Sequence, residues 1–163
     1  MEGTNISEGR GTTQPFEIMG APFIDTDILL KSLGDIPGVY LRPLCFEPTF
    51  NKWQGTLCQG IQIHVTDRTK YQSYTSSLKI LQTIIQLYPN EFQWKSPPYE
   101  YEFNKMPIDL ILGSQHLRKN IERNDNIDEL QTLWQSEMTI FKEQSQQFYL
   151  YPDESIIQNQ EIT

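Results

Sequence analysis

The sequence predicts a small mixed α/β (α+β) domain, with a sheet of two to four strands packed against three to four helices. Three observations carry this reading. Residues 58–66 alternate, with Ile61, Ile63 and Val65 on one side and Gln62, His64 and Thr66 on the other, the period of a half-buried strand. Residues 76–88 place Leu78, Leu81, Ile84, Ile85 and Tyr88 at three- and four-residue steps, the period of an amphipathic helix. Residues 127–147 repeat that spacing with Ile127, Leu130, Trp134, Met138 and Phe141.

The elements follow in order. Residues 1–20 are dense in Gly, Thr, Ser and Asn, which favour turns and local side-chain bonds to the backbone, so they read as an ordered loop. Asp25 or Thr26 can cap a short helix to about residue 33, with Ile28, Leu29 and Leu33 on one face, and Gly34 to Gly38 end it. Residues 39–46 read as a strand in which Pro43 marks an edge or a bulge. The connection 47–55 is too long for a tight hairpin. Pro89 stops the helix of 76–88. Residues 90–106 are aromatic and interrupted by Pro97 and Pro98, fit for an irregular core wall or a groove lining. Short helices over 108–112 and 114–123 flank Gly113, and residues 152–163 read as a flexible tail.

With 163 residues the chain is the size of one domain, about 100–200 residues. The 13 basic against 21 acidic side chains give a net charge of −8, which disfavours nucleic acid and anionic membrane surfaces as partners, since both need clustered cations. No run approaches the ~20 apolar residues of a membrane helix. The polar first ten residues are no signal peptide, and the compartment is open: secreted or periplasmic if an upstream segment carried a signal. Cys45 and Cys58 could pair across neighbouring strands but read rather as two buried free thiols, and with His64 and His116 alone beside them no metal site is expected. No cofactor is expected either: phosphate-cradling and dinucleotide loops are absent, and Gly9-Arg-Gly11 lacks a third Gly.

Three clusters could carry chemistry. Asn5, Glu8 and Arg10 sit among glycines that let a ligand approach the backbone, and an Arg fork beside a carboxylate can bind a sugar's carboxylate and hydroxyls; the alternative is a pair that only pins the loop. Gln62 and His64 share the polar face of the alternating strand, with Asp67 and Arg68 following, where a His near a carboxylate can act as acid or base or simply as a surface hydrogen-bonding group. Tyr99-Glu-Tyr-Glu102, beside Trp94, offers aromatic faces for sugar rings or for packing.

The same stretches carry a resemblance. Gly3-Thr-Asn-Ile-Ser-Glu-Gly-Arg-Gly-Thr-Thr-Gln-Pro-Phe-Glu17, Pro37-Gly-Val-Tyr-Leu-Arg-Pro43, Phe46-Glu-Pro-Thr-Phe50, Gly60-Ile-Gln-Ile-His-Val-Thr-Asp67, Pro97-Pro-Tyr-Glu-Tyr-Glu102 and Pro107-Ile-Asp-Leu-Ile-Leu-Gly113 occur in the order found in the NamZ-like exo-β-N-acetylmuramidases, a family formerly known as DUF1343. The chain resembles their C-terminal domain over residues 1–151. The resemblance implies a glycoside hydrolase that releases N-acetylmuramic acid from non-reducing ends of peptidoglycan fragments. It also implies a Rossmann-like N-terminal domain that bears the catalytic Glu, has no counterpart in this chain, and partners it in cis or in trans. On this view the chain opens in mid-motif, completes the cleft, and is inactive alone, with Asn5, Glu8, Arg10, Gln62 and His64 binding a muramic acid saccharide. Arg10 would meet its lactyl carboxylate. A non-catalytic peptidoglycan-, sugar- or protein-binding module is the alternative.

Overall fold

The alternating stretch becomes the central strand of a three-stranded antiparallel sheet. In the computed structural model, which describes residues 1–151, β1 (Ile18–Ala21), β2 (Val39–Phe46) and β3 (Cys58–Val65) stand in the order β1-β3-β2. Pro43 thus lies on an edge strand, where its missing N–H removes no ladder bond. The helices are α1 (Thr26–Leu33), α2 (Ser73–Leu87), α3 (Pro107–Leu112), α4 (Gln115–Glu122) and α5 (Ile127–Gln146). Among the described residues there are five, one more than the three to four expected; the short α3, anticipated over 108–112, begins at Pro107 and ends at the left-handed Gly113.

The chain forms two compact units, Met1–Ile127 and a second beginning at Asp128. In the first, one sheet face (Met19, Ala21, Ile61) packs with Leu29 of α1 and Ile80, Leu81 and Ile84 of α2 into the main core. Asp25 caps α1 by accepting a hydrogen bond from Ile28 N at 3.0 Å, and Ser114 caps α4 by accepting one from Leu117 N at 3.3 Å. The other sheet face carries a smaller cluster of Ile18, Phe46 and Cys58. Arg118 of α4 donates to Asp109 of α3 at 2.6 Å, tying those two helices together.

Four expectations are corrected. β1 lies partly inside the stretch read as loop; with four residues, all buried, it has neither the length nor the polar alternation that marks a strand. In α1 the buried face is Thr26 and Leu29, three residues apart, which turns Ile28 out to solvent. Gln62, placed on a polar face, is buried between its registered neighbours Ile18 and Arg42. The stripe of α5 is buried at Ile127 and Leu130, while Met138 and Phe141 are exposed. The expected tail, 152–163, lies outside the described residues.

The segment 3–7 runs beside β1, with Ser7 paired to Gly20, and on its other flank meets residues 91–95. Thr4 bridges Trp94, Lys95 N donates to Gly3 O at 2.9 Å, and Asn5 bonds to Glu91 and Gln93. Among the described residues no helix is long and apolar enough to cross a membrane, and no three His, Cys, Asp or Glu are grouped to hold a metal.

Both cysteines are free, but of the two expected to be buried only Cys58 is; Cys45 is exposed. Cys58 is registered with Phe46, so Cys45, one residue along, projects from the opposite face of the sheet. Burial pushes the Cys58 thiol up to about 11. Only a thiolate attacks a maleimide or an aromatic disulfide. At pH 8 the native protein is therefore expected to label once, at the exposed Cys45, and twice only after denaturation; prompt double labelling of native protein would refute this.

Candidate functional site

Glu8 is the centre of a polar cluster. Its residue is only 6% exposed, yet both carboxylate oxygens are bonded: Oε1 accepts from Arg10 Nε at 2.9 Å, and Oε2 from Lys52 Nζ at 2.6 Å. Arg10 also donates through Nη2 to Glu2 at 3.1 Å, and its guanidinium carbon lies 4.9 Å from the Phe16 ring centroid. Lys52 donates further to the carbonyls of Met1 at 3.1 Å and Ile6 at 3.0 Å. Two carboxylates thus meet two cations. Burial pulls the Lys52 ammonium below the ordinary lysine range, with its bond to Glu8 opposing that shift.

The local sequence makes this possible. Phe16 N donates to Glu8 O at 2.7 Å and Thr12 N to Gly9 O at 3.1 Å, closing residues 8–16 into a loop. Ile18 Cγ1 stands 2.6 Å from where a Cβ on Gly9 would fall, so the loop lies directly against the sheet face that holds Ile18. From the other side, Thr49 donates to Gly11 O through N and Oγ1, both at 2.9 Å, which brings the 47–57 connection and Lys52 alongside.

The aromatic stretch joins the same cluster. The Tyr99 hydroxyl is raised above the ordinary phenol range by desolvation and by the charges of Glu2 and Glu100, with a hydrogen bond to Glu2 and the opposing charge of Arg10 contributing. Lys95 Nζ lies 5.5 Å from the Tyr99 ring centroid. Beyond it, Tyr101 is 94% exposed.

Of the five residues expected to bind ligand, the structure brings Glu8 and Arg10 together. Asn5 is committed to backbone: Nδ2 donates to Glu91 O at 2.8 Å, Oδ1 accepts from Gln93 N at 3.0 Å, and its own carbonyl accepts from Trp53 Nε1 at 2.6 Å. Gln62 and His64 lie on the sheet face that carries Ile18. Gln62 Oε1 accepts from Arg42 Nε at 3.1 Å and also from its Nη2. His64 is exposed, its ring centroid 6.5 Å from that of its registered neighbour Tyr40. Sequence reasoning missed Glu2, Lys52 and Arg42. Of these, only Arg42 had a local signal, lying next to last in the Pro37–Pro43 motif and on the same strand face as Tyr40 and Leu44.

Comparison with known proteins agrees with the order of the motifs. A family model described as exo-beta-N-acetylmuramidase NamZ, C-terminal, matches residues 1–151. The chain belongs to this family. It is 38% identical over 153 residues to the peptidoglycan beta-N-acetylmuramidase NamZ of Bacillus subtilis (strain 168), covering 93% of this chain and 35% of that protein. The chain therefore spans about a third of the length of that curated relative. Two crystal structures of DUF1343 family proteins from Bacteroides fragilis NCTC 9343 share the fold. One has a TM-score of 0.74 over 91% of this chain and 38% of its own; the other has 0.54 over 93% and 38%; both are 24% identical.

Proposed function

We propose that this chain is the cleft-completing, C-terminal part of a glycoside hydrolase that releases N-acetylmuramic acid from non-reducing ends of peptidoglycan fragments. In this reading a larger N-terminal domain, in cis or in trans, carries the catalytic Glu, and the chain alone is inactive. Membership in the NamZ C-terminal family supports the substrate class, and matching only a third of the B. subtilis relative supports a missing partner domain.

The observation that carries the division of labour is the state of Glu8. A general acid must offer a proton to the leaving oxygen. Glu8 instead has one oxygen on Arg10 and the other on Lys52, in a geometry that holds a loop rather than donates. Asp67 and Glu102 are shifted the wrong way for an acid: hydrogen bonds from Thr69 lower the first, and backbone N–H groups of Asn104 and Lys105 lower the second. What the cluster does suit is saccharide hydroxyls, since it presents donors and acceptors of both signs with no net charge, beside the exposed ring of Phe16.

The test is turnover of a chromogenic β-N-acetylmuraminide. The purified 163-residue protein is expected to release nothing, and the same protein joined to the N-terminal part of the B. subtilis relative is expected to release muramic acid. Turnover by the chain alone would overturn the proposal. Binding without turnover in the joined protein would favour a stand-alone sugar-binding module.

A further inference from the structure

The described arginines fall into two groups. Arg10 is ion-paired with Glu8 and Glu2, Arg118 with Asp109 and Glu122, and Arg123 with Asp125. Arg42 and Arg68 have no carboxylate partner among the described residues, and of the two only Arg42 is held by side-chain hydrogen bonds. Its Nε and Nη2 both donate to Gln62 Oε1, and Gln62 is itself buried in the central strand. The guanidinium is thus fixed along one edge by a neutral amide. That leaves its full charge uncompensated, in a chain whose net charge is −8.

The free edge matters. A guanidinium presents two parallel N–H pairs, one along Nε and Nη2 and one across Nη1 and Nη2. Gln62 occupies the first in Arg42, and the Nη1 to Nη2 end has no partner among the described residues. That end is the fork that takes a carboxylate bidentately. Around it, Tyr40 lies two residues back on the same face of β2, 59% exposed, and His64 lies across from Tyr40 on β3. An aromatic pair beside a preorganised cation fits a ring that bears an acidic substituent. The same row leads to the polar cluster: Arg42 is registered with Gln62, Gln62 with Ile18, and Ile18 touches Gly9.

We propose that Arg42, oriented by Gln62, is the specificity-determining residue that reads the carboxylate of an acidic sugar such as N-acetylmuramic acid, while the charge-neutral Glu2–Glu8–Arg10–Lys52 cluster handles hydroxyls. This rests on the reading that the chain lines a saccharide cleft. Arg10, expected from sequence to take that role, already stands between two carboxylates of its own.

The test is an NMR titration of the isotope-labelled 163-residue chain with N-acetylmuramic acid, its methyl ester and N-acetylglucosamine. The free acid is expected to bind about tenfold tighter than either neutral sugar, the low end for a charge-assisted bond because Arg42 is exposed. The largest shifts should fall at the amides of Arg42, Gln62 and His64. Arg42→Gln should bring the acid down to the level of the neutral sugars while the protein still unfolds in a single cooperative transition, and Arg42→Lys should retain part of the preference. Equal binding of all three sugars by the parent protein, or an acid preference that survives Arg42→Gln, overturns the assignment to Arg42 alone. Failure of the parent protein to bind any of the three overturns the assignment of a carboxylate-reading site to this chain, whereas the hydrolase reading stands or falls on turnover by the joined protein.

Discussion

Replacing Lys52 with methionine is expected to destabilise the protein by about 3–5 kcal/mol, the cost of breaking a buried ion pair by removing one partner. The Lys52 side chain is 18% exposed and that of Glu8 8%, so solvent compensates little of what is lost. Methionine matches the aliphatic length of lysine and keeps its packing, which isolates the electrostatic loss. Glu8 would retain Arg10 on one oxygen and lose its partner on the other, and the carbonyls of Met1 and Ile6 would lose a donor. Urea denaturation followed by far-UV circular dichroism measures this directly. The double variant Glu8→Gln, Lys52→Met should recover part of the loss, because no uncompensated buried charge remains. A midpoint for Lys52→Met within error of the parent would mean that the cluster is solvated and not structural.

Gly60→Ala is expected to be about as damaging for a different reason. A Cβ on Gly60 would lie 1.9 Å from Met19 O and 2.7 Å from the Gly20 Cα, both backbone atoms of the neighbouring strand. A flexible side chain could swing aside, but a strand can only separate. Overpacking typically costs about 1–3 kcal/mol, and more where the neighbour cannot yield. Here the separation would break the β1 to β3 ladder and disturb the Ser7–Gly20 pairing that leads into the polar loop. Loss of soluble expression, or a drop of at least about 3 kcal/mol in urea, is the expected result. A variant as stable as the parent would show that β1 can move away from β3 at no cost.

The parts of the fold with a strong local signature were legible in the sequence. β3 alternates, α2 repeats every three or four residues, and Asp25 stands at the start of α1, where it accepts from the amide three residues on. β1 was not, because a four-residue buried strand carries no period. Within the candidate site, Glu8 and Arg10 were legible because they are two residues apart. Lys52 was not, because a lysine in a polar connection resembles any solubilising surface charge until its partner, 44 residues away, is brought to it. Asn5 is the converse case. Its position among glycines suggests a ligand, yet its amide supplies the hydrogen bonds that an extended neighbour needs. Polar residues that look available in a sequence are often the ones that satisfy backbone.

The strip formed by residues 3–5 against 91–95 bears on how the molecule is built over time. The bonds from Asn5 to Glu91 and Gln93 join positions 86 and 88 residues apart, whereas α2 and the β2 to β3 hairpin need only near neighbours. Closing a long loop loses chain entropy before its contacts can offset the loss, so distant pairings lag behind local ones. The hairpin and α2 can assemble while residues 3–5 are still unattached. Glu8 and Lys52 are held in register by the two stretches that this strip anchors, so the polar cluster matures after the scaffold that carries it.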